Sequence, residues 1–230
     1  MDYLSSYIFP KSKHTLSDHL VLGVSLGGHA AWNCLLHEPR IRTAIVVIGC
    51  PDYINLMADR ARLSKLPAWT NGGGSEFVGS EAFPTSLVET VRKYDPASFF
   101  LGFTDQESST GDVPLRNGPL REPTEKEKEV LRPLLSSCLA GKRILNLAGG
   151  RDKLVPYHRG EAFLSWLKKA VAPDGWFGDG GVVLEDAIDQ EAGHEVTPSM
   201  KDEAIRFIVE TMVDEDGSQR KRGYVREVKL

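Results

Sequence analysis

His19-Leu20-Val21-Leu22-Gly23-Val24-Ser25-Leu26-Gly27-Gly28 is the stretch whose reading decides the fold. An apolar run of strand length ends in Gly-Val-Ser-Leu-Gly, and Ala30-Ala31-Trp32-Asn33-Cys34-Leu35-Leu36 follows with helical character. A strand that turns this sharply into a helix forces the serine into a strained backbone conformation and lifts its hydroxyl above the sheet. Gly23 and Gly27 are expected to be small because side chains there would collide with the neighbouring strand or helix. The Leu26 amide, at the helix start, is then aimed where an oxyanion would develop. Ser25 is the candidate nucleophile; the bland reading is a tight turn with no chemistry.

Working outward, Met1 to Pro10 has Tyr3, Leu4, Tyr7 and Ile8 at helical spacing, and Lys11 to Asp18 is a polar connector. Beyond the elbow helix, Arg42-Thr43-Ala44-Ile45-Val46-Val47-Ile48-Gly49-Cys50 is nearly all apolar and stops at Pro51. Continuous runs of this kind mark strands covered on both faces, hence a mostly parallel sheet with helices on either side. From Asp52 to about Ser137 the alternation lapses, with helices expected over Ile54 to Leu66 and Thr85 to Phe100, joined through Asn71-Gly72-Gly73-Gly74-Ser75. That glycine run lacks the Gly-Lys-Ser/Thr ending of a phosphate-binding loop. Thr104 to Pro123 reads as a surface loop. Alternation resumes with a strand at Lys142 to Ala148, a helix at His158 to Val171, a strand beginning at Gly181, and a closing helix at Ser199 to Val213 with Pro198 in its first turn. Four strands are expected in all, followed by a charged, solvated tail over 216–230.

The bulk properties narrow the class. A chain of 230 residues suits one domain, and 41% hydrophobic with 26% charged residues is ordinary for a globular protein. A net charge of −4 and no basic block interleaved with aromatics argue against nucleic acid. Cys34, Cys50 and Cys138 are odd in number and widely spaced, which suggests neither a disulfide framework nor a zinc site; Cys50 reads as a buried small hydrophobe. No apolar run reaches membrane-spanning length and the amino terminus is not a secretory signal, so the expected compartment is the cytoplasm. No cluster of His, Cys and carboxylates has metal-ligand spacing, so no cofactor is expected.

A serine hydroxyl needs a base to take its proton, and that base needs a carboxylate to fix its tautomer. Both belong in loops at the carboxyl ends of later strands, in the order Ser, then acid, then His. Asp152 follows the Lys142 to Ala148 strand, and His194 sits in the loop after the next one. Asp52, just past Cys50-Pro51, competes with Asp152 for the acid role. His29, one helical turn past Ser25, and His158, at a helix start, are weaker candidates for a site role. His14, His19 and His37 look like connector or surface residues.

Gly23-Val24-Ser25-Leu26-Gly27-Gly28, Gly149-Gly150-Arg151-Asp152-Lys153-Leu154-Val155-Pro156 and Ala192-Gly193-His194 together resemble the three signature regions of the α/β-hydrolase superfamily, over Leu20 to about Val213. The resemblance implies a single α/β-hydrolase-like domain over 1–230, with an α-helical cap insert at about 53–137. It implies Ser25 as nucleophile, Asp152 as acid, His194 as base and Leu26 as an oxyanion donor. The expected activity is hydrolysis of a carboxylic ester, thioester or peptide acyl bond in a small-molecule substrate. Dienelactone hydrolases carry cysteine at the elbow, which separates this chain from that branch. Apolar residues of the insert, Trp69 and Phe83 among them, are expected to line an acyl pocket.

The chain also departs from the pattern. Only twenty-four residues precede Ser25, room for one helix and a connector, and no HGG-type loop lies upstream to give a second oxyanion amide. The chain thus resembles the carboxyl-terminal portion of such a hydrolase, and the elbow strand is expected to have one unpaired edge. Weak turnover and self-association through that edge follow as expectations. The alternative readings are a truncated or catalytically impaired homologue serving as a binding module and, behind it, an acyltransferase using the same serine.

Overall fold

The computed structural model describes residues 4–8, 16, 18–72, 74, 76–102, 116, 118–214 and 222–230. Among them, β1 (His19–Val24), β2 (Ile41–Val47), β3 (Arg143–Gly149), β4 (Val183–Asp189) and β5 (Tyr224–Lys229) form one sheet in sequential order, every neighbour parallel. Parallel neighbours need crossovers, and helices supply them: α1 (Leu26–His37), α2 (Tyr53–Leu63) through α6 (Glu125–Leu139), α7 (Glu161–Val171) and α8 (Pro198–Asp214). Within the second crossover lie α3 (Pro67–Thr70), α4 (Thr85–Tyr94) and α5 (Pro96–Leu101).

Alternation along the strands divides the core. Ala44, Val46, Ile144 and Leu184 meet α1, α5, α6 and α7 on one face, around Trp32, Phe100 and Phe163. Ile45, Val47, Leu145 and Leu147 meet Met200 and Phe207 of α8 on the other. The α/β class with helices on both faces is what the apolar runs led one to expect.

Several details differ. The 216–230 tail is not simply solvated, because its residues Tyr224–Lys229 form the fifth strand against β4. Arg226 of that strand bonds Glu185 at 2.9 Å and Glu203 at 2.8 Å, so its charges meet partners within the fold. The helix expected over Thr85 to Phe100 is two, because Asp95-Pro96 ends α4 and starts α5. The charged segment before β3 carries a long helix, α6, whose Leu131, Leu135 and Leu139 sit in the main core. Within the insert, α2 and α4 form a separate core of Ile54, Ala58, Ala61, Phe77, Phe83, Val88 and Val91. Phe83 is 1% exposed there, and Trp69 packs against the same cluster. Phe83 therefore packs in the core of the insert, whose helices bury their apolar faces on each other. Residues 104–115 of the expected surface loop, and most of the amino-terminal segment, lie outside the described residues.

Sheet edge β1 pairs only with β2 among the described residues, and its Leu20, Leu22 and Val24 are 41%, 50% and 42% exposed. No described helix is long and apolar enough to cross a membrane.

Candidate active site

Ser25 occupies the turn between β1 and α1 with φ 56° and ψ −116°, a sparsely populated conformation for a residue with a side chain. Its N–H donates to the Val47 carbonyl at 2.9 Å, which anchors the strained turn to the neighbouring strand. Gly23 is obligatory here: a Cβ on it would lie 1.9 Å from the Gly27 carbonyl oxygen. The matching expectation for Gly27 fails, since nothing lies within 4 Å of a Cβ there. Gly28 is the tight position instead: a Cβ on it would lie 2.8 Å from the Gly49 Cα, where α1 crosses the end of β2.

Asp152 and His194 reach the same rim from the ends of β3 and β4. The two loops interlock: Gly150 N–H donates to the Asp189 carbonyl at 2.7 Å and Arg151 N–H to the Ala192 carbonyl at 2.9 Å. A side chain on Gly149 would strike the Gly193 and Ala192 carbonyls, at 2.4 and 2.7 Å. Asp189, which the sequence did not single out, organises the His194 loop. Its carboxylate accepts the Glu191 and Ala192 N–H groups and the Thr197 and Ser199 hydroxyls. Those two hydroxyls, first among the causes, hold the Asp189 carboxyl below its ordinary pKa. The available signal was an aspartate closing an apolar run just ahead of a polar loop.

Three side chains meet. Ser25 Oγ lies 2.8 Å from His194 Nε2, and His194 Nδ1 lies 2.8 Å from Asp152 Oδ2. The other Asp152 oxygen accepts the Leu154 and Val155 N–H groups at 2.8 and 2.9 Å, and the carboxylate is fully buried. An ionised Asp152 accepts only, so the imidazole proton belongs on Nδ1 and leaves Nε2 as the acceptor for the serine hydroxyl. His194 is 24% exposed, enough to be reached from solvent. The Leu26 amide begins α1 beside Ser25, and the Leu26 side chain stands out into solvent.

The competing residues are engaged elsewhere. Asp52 caps α2 through the Asn55 N–H and takes both oxygens to Arg116 Nη1, each at 3.1 Å, in a buried ion pair. Beside it, Asp95 accepts the Tyr53 and Ser98 N–H groups, and burial together with the Asp52 charge pushes its pKa up to about 7. His29 Nδ1 donates to the Cys50 carbonyl at 2.6 Å and meets the Tyr53 ring edge-on; burial lowers its pKa. It braces the elbow helix against the end of β2. His158 is exposed in a short turn, Tyr157–Arg159. His37 ends α1 against Tyr94 and Phe99, and His19 lies in β1. Cys50 is buried, and burial raises its thiol pKa well above normal.

No family model matches the chain, and no curated protein matches it. Similar solved structures include acetyl xylan esterase 1 from Thermoanaerobacterium sp. JW/SL YS485, at 17% identity over 84% of this chain and 45% of that one, TM-score 0.38. The Pyrococcus furiosus esterase Pf2001 is similar at 15% identity over 93% of this chain and 58% of that one, TM-score 0.43. Pyrococcus horikoshii acylaminoacyl peptidase is similar at 14% identity over 92% and 25%, TM-score 0.46. The chain spans about half the length of the first two and a quarter of the third. The strand order and the hydrogen bonds described above are independent of these likenesses.

Proposed function

We propose that the chain is a serine hydrolase of the α/β-hydrolase type, cleaving a carboxylic ester or related acyl bond through Ser25, His194 and Asp152. The observation that carries this reading is the pair of 2.8 Å hydrogen bonds joining three side chains from three different loops at one rim of the sheet. In this mechanism the Ser25 oxygen attacks the acyl carbon as its proton passes to His194 Nε2. Asp152 stabilises the resulting imidazolium through Nδ1–H, and the Leu26 amide donates to the developing oxyanion. Nε2–H then protonates the departing alkoxide, leaving an acyl group on Ser25. Water, activated by the same imidazole, releases the acid and restores the serine. Helices α2 to α4, which share a core of their own between β2 and β3, act as the cap in a single domain.

A second reading is favoured by the β1 edge, which pairs only with β2 among the described residues, and by Leu26 being the one candidate oxyanion donor among them. In that reading the chain is a catalytically impaired homologue that serves as a binding module. A fluorophosphonate probe followed by intact-protein mass measurement separates the two. One adduct, absent from Ser25→Ala and His194→Ala, supports the hydrolase. An unlabelled wild-type chain sinks it.

A further inference from the structure

A concavity lies beside the loop after β3 that carries Asp152. It has a volume of about 730 Å³, inside the usual range for small-molecule sites, and its wall runs from α2 across the loop after β3 to the end of β4. Its lining includes Arg62, Arg151, Lys153 and His158 together with the apolar Leu63 and Ile188. Neither Ser25 nor His194 lines it.

The arrangement of charge is directional. Two carboxylates also line the cleft, Asp59 and Asp152, and both are withdrawn: their side chains are 4% and 0% exposed. Both are also engaged. Asp59 Oδ1 accepts Arg62 Nε and Nη2 at 3.1 and 2.7 Å and Arg159 Nη2 at 2.8 Å, so two guanidinium groups share one carboxylate. Asp152 is held by His194 and two amides. The cations stand forward by contrast. The Arg62 side chain is 50% exposed, Arg151 is 66% exposed, and Lys153 is exposed. Arg151 pairs with Glu191 at 2.5 Å, but both partners are open to water, where such a pair contributes little and is readily exchanged. The cleft is also braced, because Arg60 of α2 donates to the Leu154 carbonyl at 3.2 and 2.7 Å and ties the helix to the acid loop.

We propose that this cleft binds a small organic anion, its carboxylate or phosphate group held by Lys153, Arg62 and Arg151 and its apolar body lying on Leu63 and Ile188. Withdrawn carboxylates and projecting cations set positive charge beside the apolar Leu63 and Ile188, and neither part alone selects such a ligand. The site is separate from the serine, so this inference does not depend on turnover.

Calorimetric titration of the full chain with 3-phenylpropionate and with phenyl phosphate, at matched ionic strength, tests it. The neutral 3-phenylpropanamide serves as the isosteric control. Saturable binding of at least one of the two anions, at about 1 mM or tighter, with no binding of the amide, is the expected result. The arm that binds more tightly identifies the head group. Lys153→Met, a change at an exposed position, should weaken binding by about tenfold, which is the loss of one charge-assisted contact. Arg132→Met, paired with Asp179 and outside this cleft, should leave binding unchanged. Binding of the amide as tight as that of the anions overturns the proposal. So does a Lys153→Met chain that binds like wild type, or a wild-type chain that binds none of the probes.

Discussion

Replacing Asp152 by asparagine is the substitution whose effect the geometry specifies most fully. The Asp152 oxygen that faces the Leu154 and Val155 N–H groups sits between two donors. A carboxamide must place its oxygen there, because an NH2 group would confront both. That forces the NH2 toward His194 Nδ1, which now has to accept, and the imidazole proton moves to Nε2. Nε2–H then donates to Ser25 Oγ and can no longer take its proton. The fold loses little, since the amide caps remain satisfied, but the base is in the wrong tautomer. Loss of the proton acceptor in this way costs about 10⁴ in rate, or about 5.4 kcal/mol at about 1.36 kcal/mol per decade. Turnover of p-nitrophenyl acetate by wild type and Asp152→Asn measures the ratio, and ¹⁵N chemical shifts of the His194 ring report the tautomer directly. A loss below tenfold, or an Nδ1–H tautomer in the variant, would refute this reasoning. So would an Asp52→Asn chain that is the silent one while Asp152→Asn turns over.

Three further outcomes are expected. Gly23→Ala should lower stability by about 1–3 kcal/mol or more through collision with the Gly27 carbonyl, whereas Gly27→Ala, with open space around it, should not; thermal melts of the pair decide. Asp95 keeps its proton in the folded chain up to about pH 7 while the unfolded chain releases it near the ordinary carboxylate value, so its contribution to stability falls as pH rises through that window. Relative to Asp95→Asn, wild type should therefore lose up to about 1.4 kcal/mol per pH unit between about pH 5 and 7 in urea titrations, and a pH-independent difference would contradict the assignment. The β1 edge, unpaired on its outer side among the described residues and with Leu22 half exposed, should make the chain self-associate in sedimentation velocity, and Leu22→Lys should reverse it; a wild-type monomer at all concentrations is the opposing result.

What the sequence disclosed and what it concealed divide along physical lines. β1 to β4 and the three meeting side chains were legible because β1, β2 and β3 are largely apolar, β4 opens on Val183-Leu184, and the loops beyond them carry glycine turn signals. β5 was not, because Tyr-Val-Arg-Glu-Val-Lys reads locally as solvated chain. Its strand exists through pairing with β4, and Lys168 bonds Glu227 and Asp186 in a contact between residues far apart in sequence. Helix α6 does carry a local signal, the reciprocal capping box of Thr124 and Glu127 ahead of a leucine stripe. Asp52 looked like a second acid because it closes a strand run. Only the arrival of Arg116, sixty-four residues later, gives it a different occupation. The insert's aromatic residues suggested a pocket, since apolar count alone does not distinguish a lining from a core.

The interlocked loops after β3 and β4 leave the candidate triad with a single adjustable coordinate. With Gly149 seated against Ala192 and Gly193, and Gly150 and Arg151 bonded across, acid and base travel as one piece. The serine arrives independently, from the edge strand, anchored to Val47 of β2. Any displacement of β1 against β2 therefore lengthens or shortens the Ser25–His194 gap while leaving the His194–Asp152 bond untouched. A strand pairing with the outer edge of β1 would shift Ser25 and so tune the Ser25–His194 gap without touching either side chain.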